Sequence, residues 1–138
     1  YIVRPNDYVY NPRISTTAPV GPINRNKLGC CGVMSPLYYV FRVEKQSDGI
    51  LHFLDYYFKS NMWHDFMFKN GNSGARSDRF SISDSTFSLM PILYPQKEEE
   101  QLNIGQVFIN MEKLMRTESI KLSKFRSMKQ SLLQKMFV

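Results

Sequence analysis

After Pro95 the chain contains no further proline and a single glycine, Gly105. No other feature restricts the fold so strongly, because a long tract without breakers and with regular apolar spacing can only be satisfied by one continuous helix. Alternating steps of four and three residues pick out Ile104, Phe108, Met111, Met115, Glu118, Leu122, Phe125, Lys129, Leu132 and Met136, a seam broken only at Glu118 and Lys129. Val107 and Leu114 widen the stripe in its first half, where it can also touch a neighbouring domain. A helix of about 40 residues runs roughly 60 Å and cannot bury such a seam alone, so it requires a partner helix. The acidic run Glu98–Glu100 suits the positive end of the helix macrodipole, a structural role that accounts for it without catalysis.

Before Pro95 the composition is mixed and aromatic, with short elements punctuated by Pro, Gly and Asn. The chain therefore divides into a compact domain over residues 1–95 and a long helix over residues 96–138. Tyr8–Tyr10 reads as a short strand stopped by "NPR", and residues 15–32 as turns interrupted by Pro19, Gly21, Pro22 and Gly29. Leu37–Val43 has the β-branched and aromatic content of a buried strand. Leu51, Leu54, Tyr57/Phe58, Met62 and Phe66 recur at helical spacing and predict one amphipathic helix from about Ile50 to Lys69, capped by Asp48 and stopped by Gly71. Phe53, Tyr57, Trp63 and Phe66 on that helix read as core. Phe80 and Ile82 predict a short strand, and "FSLMPILYP" an extended segment. The fold class is α+β.

A net charge of +6 favours an acidic partner, nucleic acid first. Residues 1–95 carry ten Lys/Arg against seven Asp/Glu and rely on arginine, whereas residues 96–138 carry eight against five and rely on lysine. Arginine suits bidentate recognition of phosphate or guanine, and lysine along a helix commonly serves solvation. The chain has no apolar run of the length a membrane span needs. The opening "YIVRPNDYVY" reads as a strand already in progress, so the chain is expected to lack its true start. Adjacent Cys30 and Cys31, with no other cysteine, read as reduced thiols of a cytoplasmic protein rather than a disulfide or metal site. His52 and His64 have no partner at metal-ligand spacing.

The sequence contains no phosphate-binding glycine loop, dinucleotide fingerprint or nucleophile elbow. "YNPR" at Tyr10–Arg13 lacks the second proline and following aromatic residue of the motif used by amino-group DNA methyltransferases. No catalytic constellation emerges. What remains is "FKNGNSGARSDRFSI", Phe68–Ile82, which reads either as a surface turn or as a loop presenting donors to a negative partner.

Three stretches together resemble one family: "DYVYNPRISTTAPVGPIN"; "GVMSPLYYVFRV" with "FLDYYFKSNMWHDFMFKNGNSGARSDRFSIS"; and "MPILYPQKEEEQLNIGQVFINMEKLM" running into "SLLQKMF". The combination is similar to the specificity subunit of bacterial type I restriction–modification enzymes, over the later part of a target recognition domain and its spacer helix. The chain departs from that pattern at Cys30–Cys31 and at Leu93, where a proline often stands, and family domains extend well upstream of the position of Tyr1.

The resemblance implies a non-catalytic subunit, or half-subunit, that reads one half of a bipartite double-stranded DNA target. Its long helix would pair in an antiparallel coiled coil through Ile104, Phe108, Met111, Met115, Leu122, Phe125, Leu132 and Met136, within a longer subunit or as a homodimer. It would dock a modification (methyltransferase) subunit and a restriction subunit, and S-adenosylmethionine, ATP and Mg would bind only those partners, leaving this chain without cofactor or metal. DNA contact is then expected from two polar loops. The first offers Asn11, Arg13, Ser15, Thr16, Thr17, Asn24, Arg25, Asn26 and Lys27, and the second Asn70, Asn72, Ser73, Arg76 and Arg79. Each of these could instead brace the protein: Arg79 could pair with Asp78 or Asp84, and Arg13 could support the fold. A scaffold whose helix only dimerises or docks partners is the alternative function.

Overall fold

The computed structural model describes residues 1–73 and 78–137. It is α+β, with small antiparallel sheets packed on short helices and one long C-terminal helix. The central sheet has three strands, β2 (Tyr8–Tyr10) between β3 (Ile23–Arg25) and β5 (Tyr39–Phe41). Two ribbons flank it in sequence: β1 (Ile2–Val3) pairs with β4 (Gly32–Val33), and β6 (Asn72–Ser73) pairs with β7 (Phe80–Ser81). The helices are α1 (Asp48–Tyr57), α2 (His64–Asn70), the short α3 (Asp84–Phe87) and α4 (Glu98–Met136).

Tyr8 and Tyr10 alternate inward from the central strand and are almost fully buried. Both hydroxyls find carbonyl partners, Tyr8 on Leu51 (3.3 Å) and Tyr10 on Val20 (2.8 Å), and burial pushes both phenol pKa values up. Ile50, Leu51, Leu54 and Phe58 close the core from the helix side, with Trp63, Met67, Phe80 and Phe87 completing it. Phe87 stacks on Tyr10 at 4.8 Å, so a single turn of helix that the sequence pattern does not announce seals one end of the core.

The helix expected from Ile50 to Lys69 is broken in two. The α1 helix stops at Phe58, whose carbonyl accepts from the Trp63 indole (3.3 Å), and Ser60 Oγ donates back to Tyr57 O (2.7 Å). These bonds satisfy carbonyls at the end of the helix and let the chain re-enter with a new phase. Trp63 and Met67 therefore point inward, while Met62, expected on the buried stripe, is 64% exposed. Phe53, Tyr57 and Phe66 are half-buried against the core rather than within it. The cap also shifts by one residue: Ser47 accepts from Ile50 N, and Asp48 occupies the first turn. The strand expected over Leu37–Val43 is confined to Tyr39–Phe41, and Leu37 is exposed.

The long helix begins within a residue or two of its expected start and runs for 39 residues, about 58 Å. Its first turns dock on α1. Gly105 lies so close to His52 that a Cβ would stand 2.6 Å from the histidine Cβ, and Gly49 approaches Glu98 and Gln101 in the same way. Farther along, Phe108 stacks on Tyr56 at 4.9 Å, and Glu112 accepts from Lys59 (2.6 Å) and from the Tyr56 hydroxyl (3.1 Å). From Met111 to Phe137 every residue is exposed, so the remainder of α4 projects from the domain. Among the described residues no helix is long and apolar enough to cross a membrane.

Candidate nucleic-acid interface

The two polar loops meet through the backbone. Ile14 N donates to Asp78 O (3.1 Å) and Phe80 N donates to Pro12 O (2.8 Å), which sets Arg13 opposite Arg79 in an antiparallel bridge. The hydrogen bonds come from the flanking residues, so the arginines form the closely spaced, non-hydrogen-bonded pair, and both side chains leave the same face. Both are exposed, and neither makes a salt bridge among the described residues. Asp78 and Asp84, the acidic partners available in sequence, leave Arg79 unpaired there. Beside Arg79 runs a groove of about 270 Å³ whose walls include Pro12, Tyr38, Tyr39 and Phe87. Tyr38 was hidden in the sequence because it lies in an apparent buried strand. Its position outside β5 brings it to the groove.

The fold fixes this bridge from beneath. Asn11 N donates to Pro22 O (2.9 Å), and the Asn11 side chain accepts from Arg13 N (2.9 Å), so Asn11 sets the backbone leading into the arginine. Next comes a tight reversal in which Ser15 and Ala18 exchange backbone bonds (3.0 and 3.2 Å) and Ser15 Oγ caps Ala18 N (3.1 Å). Thr16 and Thr17 are exposed at its tip. Gly21, at φ +83°, carries the chain past Asn11 O, which a Cβ would overlap.

The second half of the first loop lies elsewhere. Strand β3 pairs Arg25 with Tyr8 and Ile23 with Tyr10, so Arg25 and Lys27 stand at the opposite end of β2 from Arg13. Arg25 is committed within the protein, a correction to its expected place on the reading surface. Its Nε and Nη2 hold both oxygens of Asp55 (2.8 and 2.7 Å), and its Nη1 holds Asn6 (2.8 Å). Lys27 reaches the same carboxylate at 2.7 Å, though its own side chain is 60% exposed. Burial opposes the charge on Asp55, but the hydrogen bonds from Arg25 and Lys27 outweigh it and hold the carboxyl below its ordinary range. Asn26 is likewise internal, donating to Val3 O and Cys30 O, whereas Asn24 remains exposed on β3.

In the second loop, Asn70 Nδ2 donates to Phe66 O (2.8 Å) and caps α2, while Asn72 and Ser73 are exposed on β6. Gly71 is needed because Phe80 and Ser81 occupy the space a Cβ would take. Arg76 lies outside the described residues. Of the expected set, then, Arg13, Ser15, Thr16, Thr17 and Arg79 are exposed together with Asn24, Lys27, Asn70, Asn72 and Ser73, and among the described residues Arg13 and Arg79 are the pair bridged from one loop to the other. Their chemistry is that of two guanidinium forks presented side by side, a geometry suited to phosphate or a base edge.

On the long helix, Ile104 is half-buried and Phe108 is already engaged with Tyr56. Met111, Met115, Leu122, Phe125, Leu132 and Met136 are each more than half exposed. Among the described residues no group of three His, Cys, Asp or Glu is arranged to hold a metal ion. Comparison with protein-family models, with curated proteins and with solved structures found no match.

Proposed function

We propose that this chain is the DNA-reading part of a specificity subunit, or half-subunit, of a type I restriction–modification enzyme, addressing one half of a bipartite target. The observation that carries the reading is the Arg13–Arg79 bridge. Backbone bonds hold two exposed cations together at a point where like charges repel, and a polyanion such as DNA relieves that repulsion. The groove beside Arg79, with Tyr38 and Tyr39 in its wall, offers room for a contact beyond phosphate. In this reading α4 spaces the reader from its counterpart through a coiled coil and presents a docking surface to modification and restriction subunits. Catalysis, with S-adenosylmethionine, ATP and Mg, belongs to those partners.

Anisotropy titrations of a labelled random-sequence duplex at several salt concentrations test this. Arg13→Ala and Arg79→Ala should each weaken binding and lower the salt slope by about one. Unchanged affinity and slope in both variants would refute DNA reading at this site. A second reading has its own support in the exposed apolar stripe of α4: a scaffold without DNA contact. It gains if the arginine variants are silent while deletion after Gln96 abolishes assembly.

A further inference from the structure

The groove beside Arg79 holds opposite charges that do not meet. Arg79 and Asp84 both line it, yet no ion pair joins them. Among the described residues the Asp84 carboxylate accepts no hydrogen bond either, although Ser83 and Thr86 on each side of it are engaged with one another (2.7 Å). Between the two charges the walls are flat and aromatic, formed by Tyr38, Tyr39 and Phe87. We propose that this groove binds one unpaired guanine base, with Arg79 on its N7/O6 edge and Asp84 on its N1/N2 edge. The site goes beyond the reading of duplex DNA and does not depend on it.

Both charged residues are mounted on fixed backbone. Phe80 N donates to Pro12 O (2.8 Å), and the bridge to Arg13 holds Arg79 itself. Asp84 opens α3, where Ser83 Oγ accepts from Thr86 N (3.1 Å). The far end of that turn is locked by Phe87, which stacks on Tyr10 and meets Tyr39 edge-on, each at 4.8 Å. The backbones therefore do not close to pair the charges, and the space between them stays open to a ligand. Such preorganisation removes much of the ordering cost of binding.

The ligand must offer acceptors to Arg79, donors to Asp84 and a flat ring to the walls. A guanidinium fork matches the N7 and O6 acceptors of guanine, and an ionised carboxylate is an acceptor only. Guanine sets two donors side by side, N1–H and the N2 amine, against the two carboxylate oxygens. Adenine and cytosine place a ring acceptor next to their amine, and thymine flanks its single N–H with carbonyls, so each turns a lone pair toward Asp84. In a duplex the N1 and N2 donors of guanine are occupied by cytosine, so the base must be unpaired. The volume, about 270 Å³, lies below the range of about 300–1,000 Å³ typical of drug-sized ligands and suits one base rather than a base pair. Stacking on aromatic side chains with hydrogen bonds to both edges is the usual way in which unpaired bases are held.

Equilibrium dialysis of the 138-residue chain against millimolar dGMP tests the site. Binding of dAMP should be at least about tenfold weaker, from the lost charge-assisted bonds. Two couplings separate direct contact from loss of fold. Replacing dGMP by dIMP, which lacks the N2 amine, should weaken binding to the wild type but not to Asp84→Asn. Replacing it by 7-deaza-dGMP, which lacks the N7 acceptor, should weaken binding to the wild type but not to Arg79→Ala. A duplex carrying one bulged guanine then identifies the source. Preference for it over a bulged adenine, lost in Asp84→Asn, assigns the guanine to a strand, whereas dGMP binding without that preference assigns it to the free nucleotide. No binding of either probe, equal binding of dGMP and dAMP, or analogue losses that persist in the variants would each overturn the inference. Asp84→Asn should leave the salt slope on fully paired DNA unchanged, so failure of the guanine site and failure of DNA reading are separately visible.

Discussion

Arg13 and Arg79 stand opposite one another across an antiparallel bridge, and no acidic side chain among the described residues pairs with either. Like charges placed directly across a ladder are destabilising by up to about 1 kcal/mol, and the penalty weakens as salt screens it. Arg79→Ala is therefore expected to leave the free protein as stable as the wild type, or more stable by a few tenths of a kcal/mol, at low ionic strength. Urea titrations at low and high salt check this, with the difference between the proteins shrinking as salt rises. An arginine that braced the fold would give the opposite sign.

Arg25 is the contrasting case. Its side chain is 10% exposed and grips an Asp55 carboxylate that is 6% exposed. Arg25→Ala leaves that carboxylate with only the solvent-facing Lys27, and the expected loss is about 3 kcal/mol. Lys27→Ala should cost under about 1 kcal/mol, since its ammonium is largely hydrated before and after. Chemical denaturation of the two variants separates them. Equal losses would mean that the bidentate pair contributes no more than a surface contact.

Asp55 also sets an acid limb. Its folded pKa lies below the ordinary value, so the unfolded chain takes up the proton first as pH falls. The stabilisation is fully present above about pH 4, the range of a free carboxyl, and disappears as pH drops through the lower folded value. Stability measured from pH 6 down to pH 2 should fall more steeply in the wild type than in Asp55→Asn, which starts lower and has no such proton to gain.

Local signals carried much of the architecture. The α4 helix is announced by spacing and the absence of proline, and Tyr8–Tyr10 by alternation before "NPR", because each depends on residues adjacent in sequence. The break between α1 and α2 is not legible in this way. Apolar residues continue at helical spacing through Phe58–Phe66, and what ends the first helix is the Trp63 indole returning to Phe58 O. The site divides similarly. Arginine-bearing loops are visible in the composition, but which arginines face solvent depends on contacts remote in sequence. Arg25 meets Asp55 on α1, whereas Arg13 meets the backbone leading to Arg79. Nothing local to "INRNK" distinguishes its arginine from that of "NPRIS".

Gly105 offers a test of the docked half of α4. In an exposed helix, Gly→Ala is stabilising by about 1 kcal/mol, since alanine restricts the unfolded chain and favours helix. Here the added Cβ would lie 2.6 Å from His52 Cβ, with the His52 carbonyl carbon at 3.2 Å, so α4 must move off α1 to accept it. Overpacking of this kind costs about 1–3 kcal/mol and outweighs the gain in propensity. The displacement would separate Phe108 from Tyr56 and Glu112 from Lys59, which hold the same face. Gly105→Ala should therefore lower stability and raise hydrogen exchange over Glu98–Glu112, leaving the exposed part of the helix beyond Lys113 unchanged. A rise in stability would show that the two helices can separate without loss.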